Sequence, residues 1–357
     1  MKKRLALASA SLLACLLALE LGARLFGGRL GIDPFVVRAR RELVCEGIVD
    51  RFQASPHTIY RRPPVKHANA QRFFDKEWTL ERTPGVPRIV CLGGSTTEGG
   101  NDVIQGGSFP FKLEEILELY GGRDFEVYNA GMSGWTSAES LAAWFLLMRD
   151  YQPDLVILHH VVNDLEPRWA PNFRADYTHW RRPFEVEHFD FLERTLTRWS
   201  DLYAWVRSGG EMPKLADVVV RPYDEAVLVD GGPPPGTEVA YVRNLRSIAE
   251  DARSIGARVL LATMPWNPRD EREDTAHTRH WRRGMAEHNQ ILRDLAEEHG
   301  YLLADIARGM RELPEVDEIA ENYFLDLVHM HHTGNHGKAL AIYNTLERHW
   351  LPTLEQN

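Results

Sequence analysis

"RIVCLGGSTTEGG" (residues 88–100) passes from four apolar residues into a cluster of glycines and hydroxyls. A short uninterrupted apolar run ended by glycines reads as a strand buried on both faces. Gly93-Gly94-Ser95-Thr96 then allows two readings. Glycines make turns, and a serine caps the helix that follows. Alternatively the turn lifts Ser95 to the rim of a sheet, where its hydroxyl can attack a substrate. The flanking sequence has to decide.

Downstream, the chain alternates regularly. An amphipathic helix is expected in "FPFKLEEILELYGG" (109–122) and a second strand in "DFEVYNAG" (124–131). A helix follows in "TSAESLAAWFLLMRDY" (136–151), where Thr136 and Glu139 have capping-box spacing, then a third strand in "PDLVILHH" (153–160). The rhythm breaks over residues 165–235, rich in aromatics and carrying "DGGPPPG", which reads as an insertion capping the main fold. Its Trp169, Tyr177, His179, Trp180, Trp199, Tyr203 and Trp205 suit either a sugar-stacking platform or the small core of a lid. Helix, strand, helix, strand and a final helix from about Gly334 complete the pattern. Such alternation predicts an α/β fold with a parallel sheet covered on both faces. Ligands of such sheets bind beyond the carboxyl ends of the strands.

The residues at those ends share a chemical logic. Gly93-Gly94-Ser95 follows the first strand, "NAGMSG" with Gly131 the second, Asn163-Asp164 the third, and "FLDLVHMHHTGNHG" lies near the C-terminus. A serine hydroxyl needs a base, and a histidine serves best when a carboxylate orients it. Asp326 and His329 are close enough in sequence to make that pair locally. An oxyanion formed on attack needs preplaced donors: the N–H groups of Ser95 and Gly131 and the Asn163 amide are the candidates. Glu98 and Asp102, just past the serine, read as surface residues, while His160 adjoins the third station. His331, His332 and His336 crowd His329, yet no acidic or thiol ligand is clearly arranged beside them, so no metal is expected.

These stations, in this order, resemble the SGNH (GDSL-type) hydrolase family from about residue 87 to the end. The resemblance implies a flavodoxin-like three-layer α/β/α sandwich, Ser95, Asp326 and His329 as the catalytic triad, and Ser95, Gly131 and Asn163 as the oxyanion hole. It implies no cofactor. It also implies cleavage of an O-acyl or O-acetyl ester of an envelope glycan, lipid or small molecule through an acyl-enzyme. Gly94 stands where the GDSL form has aspartate, and Val161 where many members have glycine. Two rivals remain: transfer of the acyl group to a polysaccharide hydroxyl, and a non-catalytic envelope-binding protein.

The N-terminus bears on location. Lys2, Lys3 and Arg4 precede a stretch without charge from Leu5 to Leu19, and the apolar segment to Phe26 forms a helix roughly 33 Å long. Glu20 and Arg24, one turn apart, can pair near a membrane surface. Residues 1–27 are read as a signal anchor, with a cleaved signal peptide or a lipoprotein-type Cys15 as alternatives. Residues 28–86 form an approach segment expected to pack on a main domain at 87–357. The basic start places that domain outside the cytoplasm, although Arg38, Arg40 and Arg41 dilute the bias. A net charge of −9 offers no broad basic face to nucleic acid.

Overall fold

The computed structural model describes residues 2–49, 52–65, 67–99, 107–180, 189–212, 232–268, 275–312 and 322–354. The chain begins with helices α1 (Lys2–Phe26) and α2 (Pro34–Arg41) and three short strands, β1 (Ile48–Val49), β2 (Phe52–Ala54) and β3 (Tyr60–Arg61). Then come β4 (Arg88–Gly93), the one-turn helix α3 (Ser95–Glu98), α4 (Phe109–Tyr120), β5 (Glu126–Gly131), α5 (Ser137–Leu146), β6 (Leu155–His159) and α6 (Leu165–Trp169). Helices α7 (Phe191–Trp199) and α8 (Asp201–Ser208) precede α9 (Val239–Ser254), β7 (Arg258–Ala262), α10 (Ala276–His299), β8 (Leu302–Ala304), α11 (Ile306–Arg311) and α12 (His332–His349).

These elements fall into two units. Residues 1–63 and 182–221 form one, residues 64–181 and 222–357 the other. The second unit holds a five-stranded sheet of order β5-β4-β6-β7-β8, parallel throughout. Its strands are short apolar runs buried on both faces, as parallel sheets require. Ile89, Cys91, Leu155, Ile157, Leu260 and Ala262 turn to one side, where α4 and α12 supply Phe109, Leu113, Ile342 and Leu346. Val90, Leu92, Val156, Leu158 and Leu261, alternating with them, are equally buried. Helices α5 and α9 pack together, and α9 and α10 on β7. The result is the flavodoxin-like three-layer sandwich. Register brings the strand ends level: Gly93 lies opposite Gly131 on one side and His159 on the other.

The first unit is built from α1, α2, α7 and α8 with the antiparallel sheet β1-β2-β3. Two segment assignments therefore change. The approach segment divides near residue 63, and the insertion does not stay together: residues 165–180 belong to the sandwich unit, whereas α7 and α8 belong with α1 and α2. Trp199, Tyr203 and Trp205 are thus part of the N-terminal unit's helices, while Trp169, Tyr177, His179 and Trp180 are buried in the sandwich unit. Burial of that second set leaves no sugar-stacking platform on those rings.

Candidate active site

The turn after β4 presents Ser95 at the first position of α3, half-buried. Gly94 before it has no room for a side chain: a Cβ there would sit 2.5 Å from Asn163 Nδ2 and 3.2 Å from the Trp135 carbonyl oxygen. This close approach brings the Asn163 amide next to the serine.

Ser95 Oγ lies 2.7 Å from His329 Nε2, and His329 Nδ1 lies 2.7 Å from Asp326 Oδ2. Two residues 234 positions apart are therefore in proton-exchange contact. Asp326 Oδ1 also accepts from the backbone N–H groups of Val328 at 2.9 Å and His329 at 2.8 Å, so the loop orients its own carboxylate. Partial burial works to raise the Asp326 pKa, but the bond to the His329 ring and these two N–H bonds outweigh it and bring it down to about 2. The carboxylate stays ionised at any working pH. It can hold the ring with Nδ1 protonated, leaving Nε2 to take the serine proton.

Beneath the nucleophile turn lie two buried bases. His159, at the end of β6, places Nδ1 3.1 Å from Thr97 Oγ1. Burial, with a nearby Lys338, pushes the His159 pKa well below its usual value, so the ring is neutral. Lys338 of α12 donates from Nζ to the Thr96 carbonyl at 3.0 Å, and burial pulls its pKa down to about 7. Lys338 went unnoticed in the sequence, where a lysine on a helix normally signals a solvated face.

Asn163 follows β6, and its Nδ2 donates to the Trp135 carbonyl at 2.8 Å. The next residue, Asp164, is fully buried and accepts from Ser137 N–H at 2.9 Å, Ser137 Oγ at 2.5 Å and Tyr177 O–H at 3.0 Å. These bonds tie the Asn163 turn to the start of α5. His160 turns away from the triad, its Nε2 2.8 Å from Ser140 Oγ.

Gly131 does not serve as expected. Its N–H already donates to Asn129 Oδ1 at 3.0 Å, so it is not held ready for an oxyanion. The position needs glycine for another reason: a Cβ would fall 2.3 Å from the Glu98 backbone nitrogen and 2.7 Å from the Thr97 carbonyl carbon. Both obstacles are backbone and cannot rotate away. Gly131→Ala should therefore destabilise the protein by about 3 kcal/mol or more, at or beyond the top of the usual range for overpacking, as chemical denaturation will show. The glycine on the loop that reaches Asn163 is Gly134, which turns the chain at φ 75° just before Trp135.

Glu98 is also not the surface residue anticipated. It is 2% exposed, with its carboxylate bonded to Ser133 Oγ and its carbonyl to Asn129 Nδ2 at 3.2 Å. Asp102 lies outside the described residues. Of the crowded histidines, His331 stands at the N-cap position of α12 without a side-chain capping bond, and His332 Nδ1 lies 3.0 Å from Thr333 Oγ1.

The sequence model of the GDSL-like lipase/acylhydrolase family matches residues 91–336, more than half of the chain. The chain belongs to the GDSL-like lipase/acylhydrolase family. It is an SGNH-type esterase, and ester hydrolysis is its general reaction. Solved structures similar to this GDSL-like protein include LAE5, an α/β-hydrolase enzyme from the metagenome of Lake Arreo, Spain. That likeness has 18% identity and a TM-score of 0.45, covering 73% of this chain and 95% of the other. Axe2, an acetylxylan esterase from Geobacillus stearothermophilus, is 17% identical with a TM-score of 0.44 over 73% of this chain and 94% of its own. A lipase/acylhydrolase from Enterococcus faecalis is 15% identical with a TM-score of 0.45 over 74% and 96%. No curated protein matches the chain.

Proposed function

We propose that this esterase cleaves an O-acyl ester, of the O-acetyl kind or another, through an acyl-enzyme on Ser95. The observation that carries the reading is the unbroken line from Ser95 Oγ through His329 to Asp326, with both links at 2.7 Å. His329 takes the serine proton as Oγ attacks the carbonyl carbon, then gives it to the departing alcohol. Water enters, loses a proton to the same nitrogen, and releases the acid. Asp326 holds the ring and balances its charge while it is protonated.

The oxyanion donors in this reading are the Ser95 N–H, at the start of α3 where no helical acceptor exists, and the Asn163 amide beside Gly94. The 132–135 loop, turned at Gly134, holds the Asn163 amide in place through the Trp135 carbonyl. Asn163→Ala should lower kcat by about 100- to 1000-fold with little change in KM, since the amide meets charge that develops only in the transition state. Gly134→Ala should lower kcat as well, whereas the effect of Gly131→Ala should be one of folding.

The triad stands open to solvent. The His329 and Asp326 side chains are 31% and 56% exposed. Exposure of this kind suits an ester borne on a bulky alcohol, such as a glycan or a lipid headgroup, as well as a small molecule. We also place the sandwich unit on the extracytoplasmic side of a membrane, on the strength of Lys2, Lys3 and Arg4 before the apolar helix. The test of the mechanism is direct trapping. Brief exposure to an aryl acetate, followed by acid quench and peptide mass analysis, should find acetyl on the peptide carrying Ser95. Turnover with the acyl group trapped elsewhere, or with Ser95 inert to a fluorophosphonate probe, would overturn it.

A further inference from the structure

Helix α7 is built inside out. Phe191, Leu192, Leu196 and Trp199 fall within one arc of the helix, at the spacing of a single face. That face is the exposed one: Phe191 is 85% exposed, Leu192 63%, Leu196 37% and Trp199 71%. The opposite, polar face is the one the protein covers. Glu193 meets Arg40 at 2.9 Å and Tyr203 O–H at 2.5 Å, Thr197 is fully buried, and the Thr197 carbonyl accepts from Arg41 at 3.0 Å. A helix at a water-facing surface does the reverse.

What covers this face is indicated by the helix to which α7 is joined. Arg24 of α1 donates to the Trp199 carbonyl at 2.5 Å. Glu20 accepts from Ser200 Oγ at 2.6 Å and from the N–H groups of Asp201 at 2.8 Å and Leu202 at 3.3 Å, capping α8. Ala23 and Ala204 are buried together in the same small core. The last turns of α1 therefore belong to the folded unit, while Leu7, Leu12, Leu13, Leu16 and Leu19 are more than half exposed. The uncharged stretch standing clear of the clamp, Leu5–Leu19, spans only about 22 Å, short of the roughly 30 Å of a bilayer's hydrocarbon core. That shortfall draws the clamp, and Trp199 with it, down to the lipid boundary. Tryptophan favours that level, and the exposed Arg194 and Arg198 flank the apolar face as anionic headgroups require.

We propose that α7 is a second, in-plane membrane contact, its Phe191–Leu192–Leu196–Trp199 face immersed at the headgroup–acyl boundary of an anionic phospholipid bilayer that α1 crosses. The assignment rests on α1 being a retained membrane span and is independent of the Ser95 chemistry.

The test uses the full-length chain, with Cys15→Ala and Cys45→Ala, in phosphatidylglycerol–phosphatidylethanolamine vesicles. An environment-sensitive fluorophore is placed by Leu192→Cys or Leu196→Cys, and by Leu12→Cys in mid-span. Lipids carrying a nitroxide high on the acyl chain should extinguish the labels at 192 and 196. The label at 12 should respond to a nitroxide placed deeper. Loss at 12 without loss at 192 and 196 would overturn the proposal while keeping α1 as a span. No loss at 12 would remove the premise and the proposal together. Shielding at 192 and 196 that depends on protein density and not on the nitroxide lipid would assign the face to a second copy of the chain, also against the proposal.

Discussion

Ser95→Ala lowers kcat/KM for a short aryl ester by about 10⁴- to 10⁶-fold and leaves the melting temperature essentially unchanged. The size follows from the geometry. Among the described residues the serine proton has one acceptor in reach, His329 Nε2 at 2.7 Å, and that ring has one carboxylate behind it. Groups arranged in series fail together, so His329→Ala should lose a similar factor and the double variant little more than either alone. Asp326→Asn tests the orientation of the ring. The asparagine can keep the bonds from the Val328 and His329 N–H groups through its remaining oxygen, so the loop should hold. Presenting an amide N–H to Nδ1 would favour the tautomer with its proton on Nε2, which cannot act as base. A fall of about 10⁴-fold marks a fully enclosed triad, and the half-exposed Asp326 side chain should bring a smaller one, because water can share its task. Since Asp326 titrates near 2, protonation of this carboxylate does not set the acid limb of the rate profile between pH 4 and 7. Turnover by the Ser95 variant near the native rate would refute the assignment.

Legibility of the fold and the site in the sequence had physical limits. The sheet was readable because β4, β6 and β7 are apolar on both faces, which only a doubly covered parallel sheet demands. Ser95, Asn163, Asp326 and His329 were readable because each pairs a reactive group with the end of an element. Gly131 misled for a local reason. Its neighbour Asn129 folds back to take the N–H, and a contact between residues two apart leaves no periodic trace. Glu98 misled and Lys338 went unseen because charge normally marks a wet face, and only tertiary packing shows that both are buried. The pattern of α7 disclosed that one face differs from the other, but amphipathicity does not say which face meets the protein. Its polar side proved to be the inner one, which leaves Trp199 on the outer face.

Acid should unfold this esterase steeply, and the sign can be worked out group by group. Burial lowers His160 and His288 from 6.5 to about 3 and His159 well below its usual value. Between pH 6.5 and 3 the unfolded chain therefore binds protons at these rings that the folded chain refuses, so stability falls as pH falls, by about 1.4 kcal/mol per pH unit for each. Asp75 and Asp164 work the other way. Burial raises both from 3.8 to about 6, so between pH 6 and 3.8 the folded state holds the extra protons and gains stability on acidification. Two carboxyls offset two histidines in that window, and His159 leaves a gentle net decline. Below about pH 3.8 the carboxyls are protonated in both states and their opposition ends. Asp326 begins to count on the same side as the histidines as pH falls from 3.8 toward 2. The slope should then steepen toward about 5 kcal/mol per pH unit while the three rings and Asp326 resist protonation. His288 isolates one contribution. Its Nδ1 donates to the Val161 carbonyl at 2.9 Å, its ring stacks on Tyr241 at 4.1 Å, and its buried Nε2 has no hydrogen-bond partner among the described residues. Protonation would place an N–H there without an acceptor. His288→Gln should therefore reduce the acid dependence by about 1.4 kcal/mol per pH unit, whatever it does to stability at pH 7. Urea denaturation at half-unit steps from pH 7 to 3 reads both slopes, and identical slopes for the two proteins would show that His288 does not carry this linkage.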